Sequence, residues 1–226
     1  MKAIEWVRYL QNERACNGKN VFTVTELANV AGATPAVMNV ELGRLVARGV
    51  IRRWVPGRYG LPDGVTPEEL AAAIDPDSYV TGAWALWKRG FVTQVPREIE
   101  CFTRRRHNRS RRRDTALGSL VFVCVGDRIH APPLEGESVP AGQALCDLVF
   151  LSRRQGIDPR SLWTFRNLGQ LVIPAAILDR YPRTVRNAAE AIVSAEAPPA
   201  TRRRPRRSGE SSPLLTRVPS SAGQQG

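Results

Sequence analysis

The sequence predicts an α+β protein in which a helix-rich N-terminal unit precedes a mixed α+β domain with a small antiparallel sheet. Apolar residues recur at helical spacing in several segments, and short β-branched runs lie between them. Apolar residues also make up 42% of the 226 residues, which is enough for a buried core. We place the predicted units at 1–62, 63–195 and 196–226, and the last is rich in Pro, Ser and Arg and predicted to be disordered.

Three helices are predicted in the first unit. Residues 3–15 carry an apolar face of helical period. Thr23 and Glu26 match a capping box, so a second helix is predicted to begin there. Thr34 and Pro35 begin the third helix, because Thr is a favoured N-cap and Pro fits the first helical position.

Short strands are predicted around these helices. Residues 21–22 form one strand, and residues 50–54 and 58–61 form a β-hairpin. The order helix, strand, helix, tight turn, helix, hairpin is that of a winged helix-turn-helix. In that module the recognition helix enters the major groove of DNA.

The third helix and the hairpin supply the candidate DNA contacts. With Met38, Leu42 and Leu45 facing inward, the opposite side of the helix is free to face a duplex. Asn39 suits adenine, Arg44 suits guanine or phosphate, and the hairpin arginines suit phosphates. That these polar residues are simply solvated is the alternative. The predicted DNA-binding residues are Thr34, Ala36, Asn39, Val40, Arg44, Arg52, Arg53 and Arg58.

The second unit is predicted to alternate helices and strands. Strands are predicted at 98–103 and 119–125, on either side of an arginine-rich segment. Helices are predicted to begin at 66 and 158 and to cover 78–89, 141–155, 168–178 and 184–195.

The net charge of +12 is concentrated in three blocks. Residues 1–62 carry +5, residues 104–114 carry +6 and residues 201–226 carry +5, whereas residues 63–103 carry −4. Concentrated positive charge favours polyanions, because neutralising phosphates releases counterions. The second block is predicted to contact nucleic acid or an acidic partner, with a solvated loop as the alternative. Its arginines are Arg104, Arg105, Arg106, Arg109, Arg111, Arg112 and Arg113.

No enzyme motif is recognisable in the sequence. Phosphate-binding, dinucleotide, zinc-protease and serine-hydrolase patterns are all missing. His107 and His130 are the only histidines, and the four cysteines have no metal-ligand spacing, so we expect no metal, no cofactor and reduced, mostly buried thiols. Glu98 and Glu100 share one strand face and are interpreted as solvated charges. A nuclease that uses Glu98, Glu100 and His107 is the enzymatic alternative.

The start of the chain lacks the apolar core of a signal peptide, and no apolar run reaches the length of a membrane span. We therefore expect a cytoplasmic protein without a membrane partner.

Four stretches carry a family resemblance: residues 78–87 (SYVTGAWALW), 93–96 (TQVP), 101–109 (CFTRRRHNR) and 143–147 (QALCD). Together with the N-terminal winged helix they resemble the AbiEi-type antitoxins of type IV toxin–antitoxin systems. The resemblance implies a transcriptional repressor that binds inverted repeats in its own promoter through the winged helix. It also implies a second domain that counters a nucleotidyltransferase-like toxin without forming a stable complex.

The resemblance assigns the DNA-facing role by position to Thr34, Asn39, Arg44, Arg52, Arg53 and Arg58. A stand-alone winged-helix regulator, or an RNA- or protein-binding adaptor without a toxin, remains the alternative.

Overall fold

The computed structural model describes residues 2–108, 111–134 and 138–196, and these form a mixed α+β protein. The first part contains α1 (Ala3–Asn17), β1 (Phe22–Thr23), α2 (Val24–Ala31), α3 (Pro35–Ala47), β2 (Arg52–Val55) and β3 (Arg58–Gly60).

The predicted starts of α2 and α3 are confirmed by their capping hydrogen bonds. The backbone N–H of Glu26 donates to Oγ1 of Thr23 at 3.1 Å, and the Glu26 carboxylate accepts from the Thr23 N–H at 2.8 Å. The backbone N–H of Val37 donates to Oγ1 of Thr34 at 3.4 Å. These contacts satisfy N–H groups that have no partner inside the helix. Gly32 ends α2 with φ of 62°, which turns the chain sharply into α3.

The three strands of the first part form an antiparallel sheet in the order β1-β3-β2. Tyr59 of β3 lies opposite Phe22 of β1 on one side and Arg53 of β2 on the other. The hairpin turns at Pro56 and Gly57, and Gly57 has φ of 77°, as the second central position of a type II turn requires. The helices and sheet enclose one apolar cluster, whose fully buried members include Trp6, Leu10, Phe22, Leu27, Met38, Leu42 and Leu45.

The second part contains α4 (Pro67–Ile74), β4 (Tyr79–Val80), α5 (Gly82–Lys88), β5 (Glu98–Thr103), β6 (Arg112–Thr115), β7 (Gly118–Cys124), α6 (Ala141–Arg154), α7 (Pro159–Leu162), α8 (Ala175–Leu178) and α9 (Arg183–Glu196). A short 3₁₀ turn at Leu168–Gln170 precedes α8.

The sheet of the second part is mixed rather than antiparallel. Its order is β4-β5-β7-β6, and β5 runs parallel to β7, with Cys101 opposite Phe122. The other two strand pairs are antiparallel. After β5 the chain passes the end of β7 to reach the edge strand β6, and a tight turn then brings it back as β7. Strand β6 was not predicted, because its sequence is charged and lacks apolar alternation.

Two predicted helices are shorter in the structure. The segment 78–89 begins as β4, because Tyr79 and Val80 pair with Phe102 and Cys101 of β5, so the helix starts only at Gly82. The segment 168–178 is divided by Pro174, which has no N–H to continue a helix, into a 3₁₀ turn and α8.

The β2–β3 hairpin packs against the second part of the chain. Trp54 and Val55 share an apolar cluster with Leu70 of α4 and with Leu120 and Phe122 of β7. Apolar side chains from both sides of residue 62 therefore pack together. The domain boundary predicted near residue 62 stays a prediction.

The cysteines are less uniformly buried than expected. Cys101 and Cys146 are buried, whereas Cys124 is half-buried and Cys16 is exposed. Within the described ranges, none of the helices has both the length and the apolar character needed to cross a bilayer. The disordered tail was predicted from residue 196, but Glu196 is the last residue of α9, and residues 197–226 lie outside the described residues.

Candidate nucleic-acid interface

The side of α3 that was predicted to face DNA is open to solvent. Met38, Leu42 and Leu45 are at most 2% exposed, so the predicted inward stripe is confirmed. The candidate contact residues of α3 are all exposed: Thr34, Ala36, Asn39, Val40 and Arg44. Thr34 also caps the helix, so its hydroxyl oxygen is already used by the Val37 N–H. Asn39 and Arg44 are the groups on this side that remain able to contact base edges.

The hairpin arginines divide into two groups. Arg52 and Arg53 are exposed, and the Arg52 guanidinium lies over the Trp54 ring, 5.1 Å from its centroid. Arg58 is half-buried, and its Nε donates to the backbone oxygen of Ala73 in α4 at 2.9 Å. Arg58 thus ties the hairpin to α4 through its Nε, and its contact with DNA stays a prediction.

Two residues of this region were missed by the sequence reasoning. Arg48 follows the last residue of α3 and is exposed, at the helix end where the backbone dipole favours a cation. Val37 is 60% exposed beside Val40, which is 58% exposed. The helical spacing of Val37 and Arg48 could have placed both residues on the open side of α3. In the sequence analysis, Arg48 was counted only in the net charge of residues 1–62.

Part of the arginine-rich segment is neutralised by the turn after α4. Arg104 donates from its guanidinium and its backbone N–H to Asp77. Those hydrogen bonds lower the pKa of Asp77 to about 2 against the opposing effect of its burial. Nε of Arg105 lies 3.6 Å from Oδ1 of Asp75. The acidic block of the sequence thus compensates charges of the basic block that follows it.

His107 and His130 bind the same turn. Nε2 of His107 lies 2.8 Å from Oδ2 of Asp75, and Nε2 of His130 lies 2.8 Å from the backbone oxygen of Asp77. Asp75 is 1% exposed and also accepts from Oγ1 of Thr103 at 2.6 Å. Burial acts to raise the pKa of Asp75, but the hydrogen bonds from Thr103 and His107 outweigh it and hold that pKa below its ordinary value. His107 and His130 therefore fasten their own segments to the turn after α4.

The far end of the segment is paired as well. Arg112 bonds to Glu98 and Asp114. Arg113 is half-buried, and its buried Nε has no hydrogen-bond partner among the described residues. Arg109 lies outside the described residues. The seven-arginine segment is thus not a uniform cationic surface.

Arg106 and Arg111 line a pocket of about 360 Å³ together with Arg154, from the last turn of α6. Its other described lining residues carry no carboxylate: His107, Asn108, Phe122, Val123 and Cys124. Arg154 was missed because it is distant in sequence from the arginine-rich segment. In this pocket, Arg106 and Arg111 of the arginine-rich segment remain able to bind an anion.

Two of the stretches that carry the family resemblance, 78–87 and 143–147, meet in the core. Thr81 Oγ1 donates to Oδ2 of Asp147 at 2.7 Å, and Gln143 Nε2 donates to the backbone oxygen of Ala131 at 2.7 Å. Asp147 is fully buried, and this burial raises its pKa to about 7. A buried hydrogen bond thus joins the stretch 78–87 to the stretch 143–147. Four residues of the first stretch also line a pocket of about 410 Å³: Ser78, Tyr79, Val80 and Ala85.

Glu98 and Glu100 do not behave as a matched pair of solvated charges. Glu98 is exposed and paired with Arg112, but Oε2 of Glu100 is buried without a hydrogen-bond partner in the described chain. Burial raises the pKa of Glu100 to about 7. The interpretation of Glu100 as solvated is therefore corrected. In the part of the chain that the structure describes, no group of three or more His, Cys, Asp or Glu side chains is placed to hold a metal ion.

No protein-family model matches this chain, and a search of curated proteins gives no match either.

Proposed function

We propose that the chain is a sequence-specific DNA-binding protein that represses transcription, with α3 in the major groove and the β2–β3 hairpin against the neighbouring backbone. The observation that carries the proposal is the two-sided character of α3. One side is buried through Met38, Leu42 and Leu45, and the other is open and flanked by exposed arginines. A helix with a free side and adjacent cations suits the major groove of a polyanionic duplex.

The arrangement around α3 supports a winged helix-turn-helix as the DNA-binding module. Helices α2 and α3 pack together across the turn at Gly32, and β1, between α1 and α2, pairs with β3 of the hairpin. This order places the hairpin after the recognition helix, as a wing requires.

We further propose that the protein acts in the cytoplasm as an AbiEi-like antitoxin. It would repress its own operon at inverted repeats and counter a nucleotidyltransferase-like toxin without a stable complex. The support is the sequence resemblance. Two of the resembling stretches, 78–87 and 143–147, are joined by buried hydrogen bonds between Thr81 and Asp147 and between Tyr79 and Gln143. In this proposal, the second part of the chain is the part that counters the toxin.

Mobility shift on the DNA upstream of the protein's own reading frame tests the first proposal. We expect tighter binding than to a random duplex of equal length, with log K falling linearly with log salt. Arg53→Ala should weaken binding to every sequence, and Arg166→Ala, at an exposed arginine of the second part, is the matched control. Equal affinity for promoter and random duplexes contradicts the proposal.

Co-expression with the product of the neighbouring reading frame tests the antitoxin role. We expect that product to arrest growth and this chain to restore it. Operator binding without restored growth would leave a stand-alone regulator in place of an antitoxin.

A second candidate function, binding of single-stranded RNA, is favoured by the pocket that Arg106, Arg111 and Arg154 line. In-cell cross-linking separates the two candidates, because RNA enriched over promoter DNA favours this one. Arg154→Ala should then reduce cross-linking to RNA, whereas its neighbour Arg153→Ala, outside the pocket, should not.

A further inference from the structure

The open side of α3 carries exposed valines that the fold does not use. Val37 is 60% exposed and Val40 is 58% exposed, on a helix whose opposite stripe already closes the core. Valine is a poorer helix former than alanine, so these side chains are not explained by helix propensity. Because Val37 and Val40 are one turn apart, their methyl groups form a small exposed apolar strip on this side of α3.

The residues around the valines limit what can cover them. Ala36 and Gly43 lie on the same side of α3, and a Cβ added at Gly43 meets nothing within 4 Å. A partner can therefore approach the helix backbone closely. Arg44, one turn after Val40 on α3, is exposed, and so are Arg48, just after the helix, and Arg53, on the hairpin. An apolar strip with a cation beside it complements a partner that is negative at its edges and locally apolar at its centre.

Duplex DNA has this character in its major groove. Phosphates line both edges, and the 5-methyl group of thymine is the apolar group that natural bases present there. Polar contacts on this side of α3 are available from Asn39 and Arg44, both of which are exposed, and Arg44 also lies 3.8 Å from Glu41 in an exposed ion pair. Val37 and Val40 add apolar contacts to these polar ones.

We infer that α3 recognises thymine methyl groups through Val37 and Val40, and that its target sites are A·T pairs with thymine at fixed positions. This inference rests on the proposed function, since it names the DNA chemistry that the same surface selects. Asn39, exposed on α3, suits the adenine of such pairs, whose N6 and N7 match an amide.

The test uses the full chain and duplexes selected from a random pool. Each thymidine of the selected duplex is replaced in turn by deoxyuridine, which removes the 5-methyl group and keeps the Watson–Crick pairing. We expect about a three- to fivefold loss of affinity per contacted methyl group, measured by fluorescence anisotropy at one salt concentration. Other thymidines should be insensitive to the replacement.

Valine variants assign the contact to α3. Val40→Thr keeps the shape and replaces one of the two methyl groups by a hydroxyl group, so the deoxyuridine effect at its partner position should become smaller in a double-mutant cycle. Val95→Thr is the matched control, because Val95 is 61% exposed in a loop of the second part. Circular dichroism verifies that both variants fold.

The outcomes separate the inference from the proposed function. Strong, sequence-specific binding that no deoxyuridine replacement changes overturns the inference and keeps DNA binding. Absence of any sequence preference in the selection removes the proposed function itself. If Val37→Thr and Val40→Thr change the molar mass by light scattering and leave DNA affinity unchanged, the valines form a self-interface and the inference is overturned.

Discussion

The hydroxyl group of Tyr181 donates to Oδ1 of Asp147 at 2.5 Å, in a part of the core where both residues are fully buried. Asp147 lies on α6, and Tyr181 lies just before α9. Thr81, just before α5, donates to the other carboxylate oxygen. One carboxyl group thus joins three segments of the second part.

Replacing Asp147 by Asn should reduce the pH dependence of stability. Burial raises the pKa of Asp147 from 3.8 to about 7 in the folded protein. The folded state therefore holds a proton that the unfolded state has released, and the free energy of unfolding falls as pH rises from about 4 to 7, by up to about 4 kcal/mol. Urea unfolding of Asp147→Asn should show a smaller fall, because Glu100, whose pKa burial also raises to about 7, still contributes to it.

The control for that experiment is Asp127→Asn, at an exposed carboxyl group. This variant should show the same decline with pH as the wild-type chain. An unchanged slope in Asp147→Asn would contradict the assignment of the effect to the buried carboxyl group.

The contribution of Asp75 to stability should depend on pH in the opposite sense, and Asp75→Asn should remove it. Hydrogen bonds from Thr103 and His107, opposing burial, hold the pKa of Asp75 below its ordinary value. A carboxyl group with a lowered folded pKa contributes stability above its unfolded pKa, and this contribution is lost as pH falls through the folded value. We expect Asp75→Asn to lower the free energy of unfolding at neutral pH by about 1 to 3 kcal/mol and to weaken acid sensitivity. Equal losses at neutral and acid pH would argue against this origin.

Arg53→Ala and Arg58→Ala should differ in kind. Arg53 is exposed, so its loss should reduce the salt slope of DNA binding by about 1 and leave unfolding unchanged. Arg58 donates to the backbone oxygen of Ala73, so its loss should lower the free energy of unfolding by about 1 kcal/mol with the salt slope preserved. Titrations at several salt concentrations and urea unfolding measure the two quantities. A reduced salt slope of DNA binding in Arg58→Ala would show that Arg58 contacts DNA.

Gly43 offers a substitution that separates stability from binding. It lies within α3, and an added Cβ meets no atom within 4 Å. Gly43→Ala should stabilise the helix by about 0.5 to 1 kcal/mol, since Ala loses less backbone entropy. Gly43→Glu should fold but bind DNA far more weakly, because a carboxylate then faces the phosphates. Tight binding by Gly43→Glu would exclude α3 from the interface.

Cysteine reactivity reports the packing of the second part. Burial raises the pKa of the Cys146 thiol to about 12 and that of Cys101 well above its ordinary value. An alkylating reagent should therefore modify exposed Cys16 first and reach Cys101 and Cys146 only with unfolding. Mass spectrometry of peptides from briefly labelled protein measures the order. Early labelling of Cys146 would contradict the buried position of α6.

Local chemistry made several elements predictable. Thr23 with Glu26, and Thr34 with Pro35, act through neighbouring backbone groups, so their sequence spacing alone located the starts of α2 and α3. The predicted extent of β5 is confirmed as Glu98–Thr103.

The sequence by itself determined the α+β character, the inward stripe of α3 and the position of charged blocks, because these depend on periodicity and composition. The tertiary structure decided which cations stay available, because Arg105 and Arg104 pair with Asp75 and Asp77, which are distant from them in the sequence. It also decided that β5 and β7 are parallel and that Arg58 is used internally. Strand order and long-range partners depend on how segments meet in space, and no local pattern of residues records that.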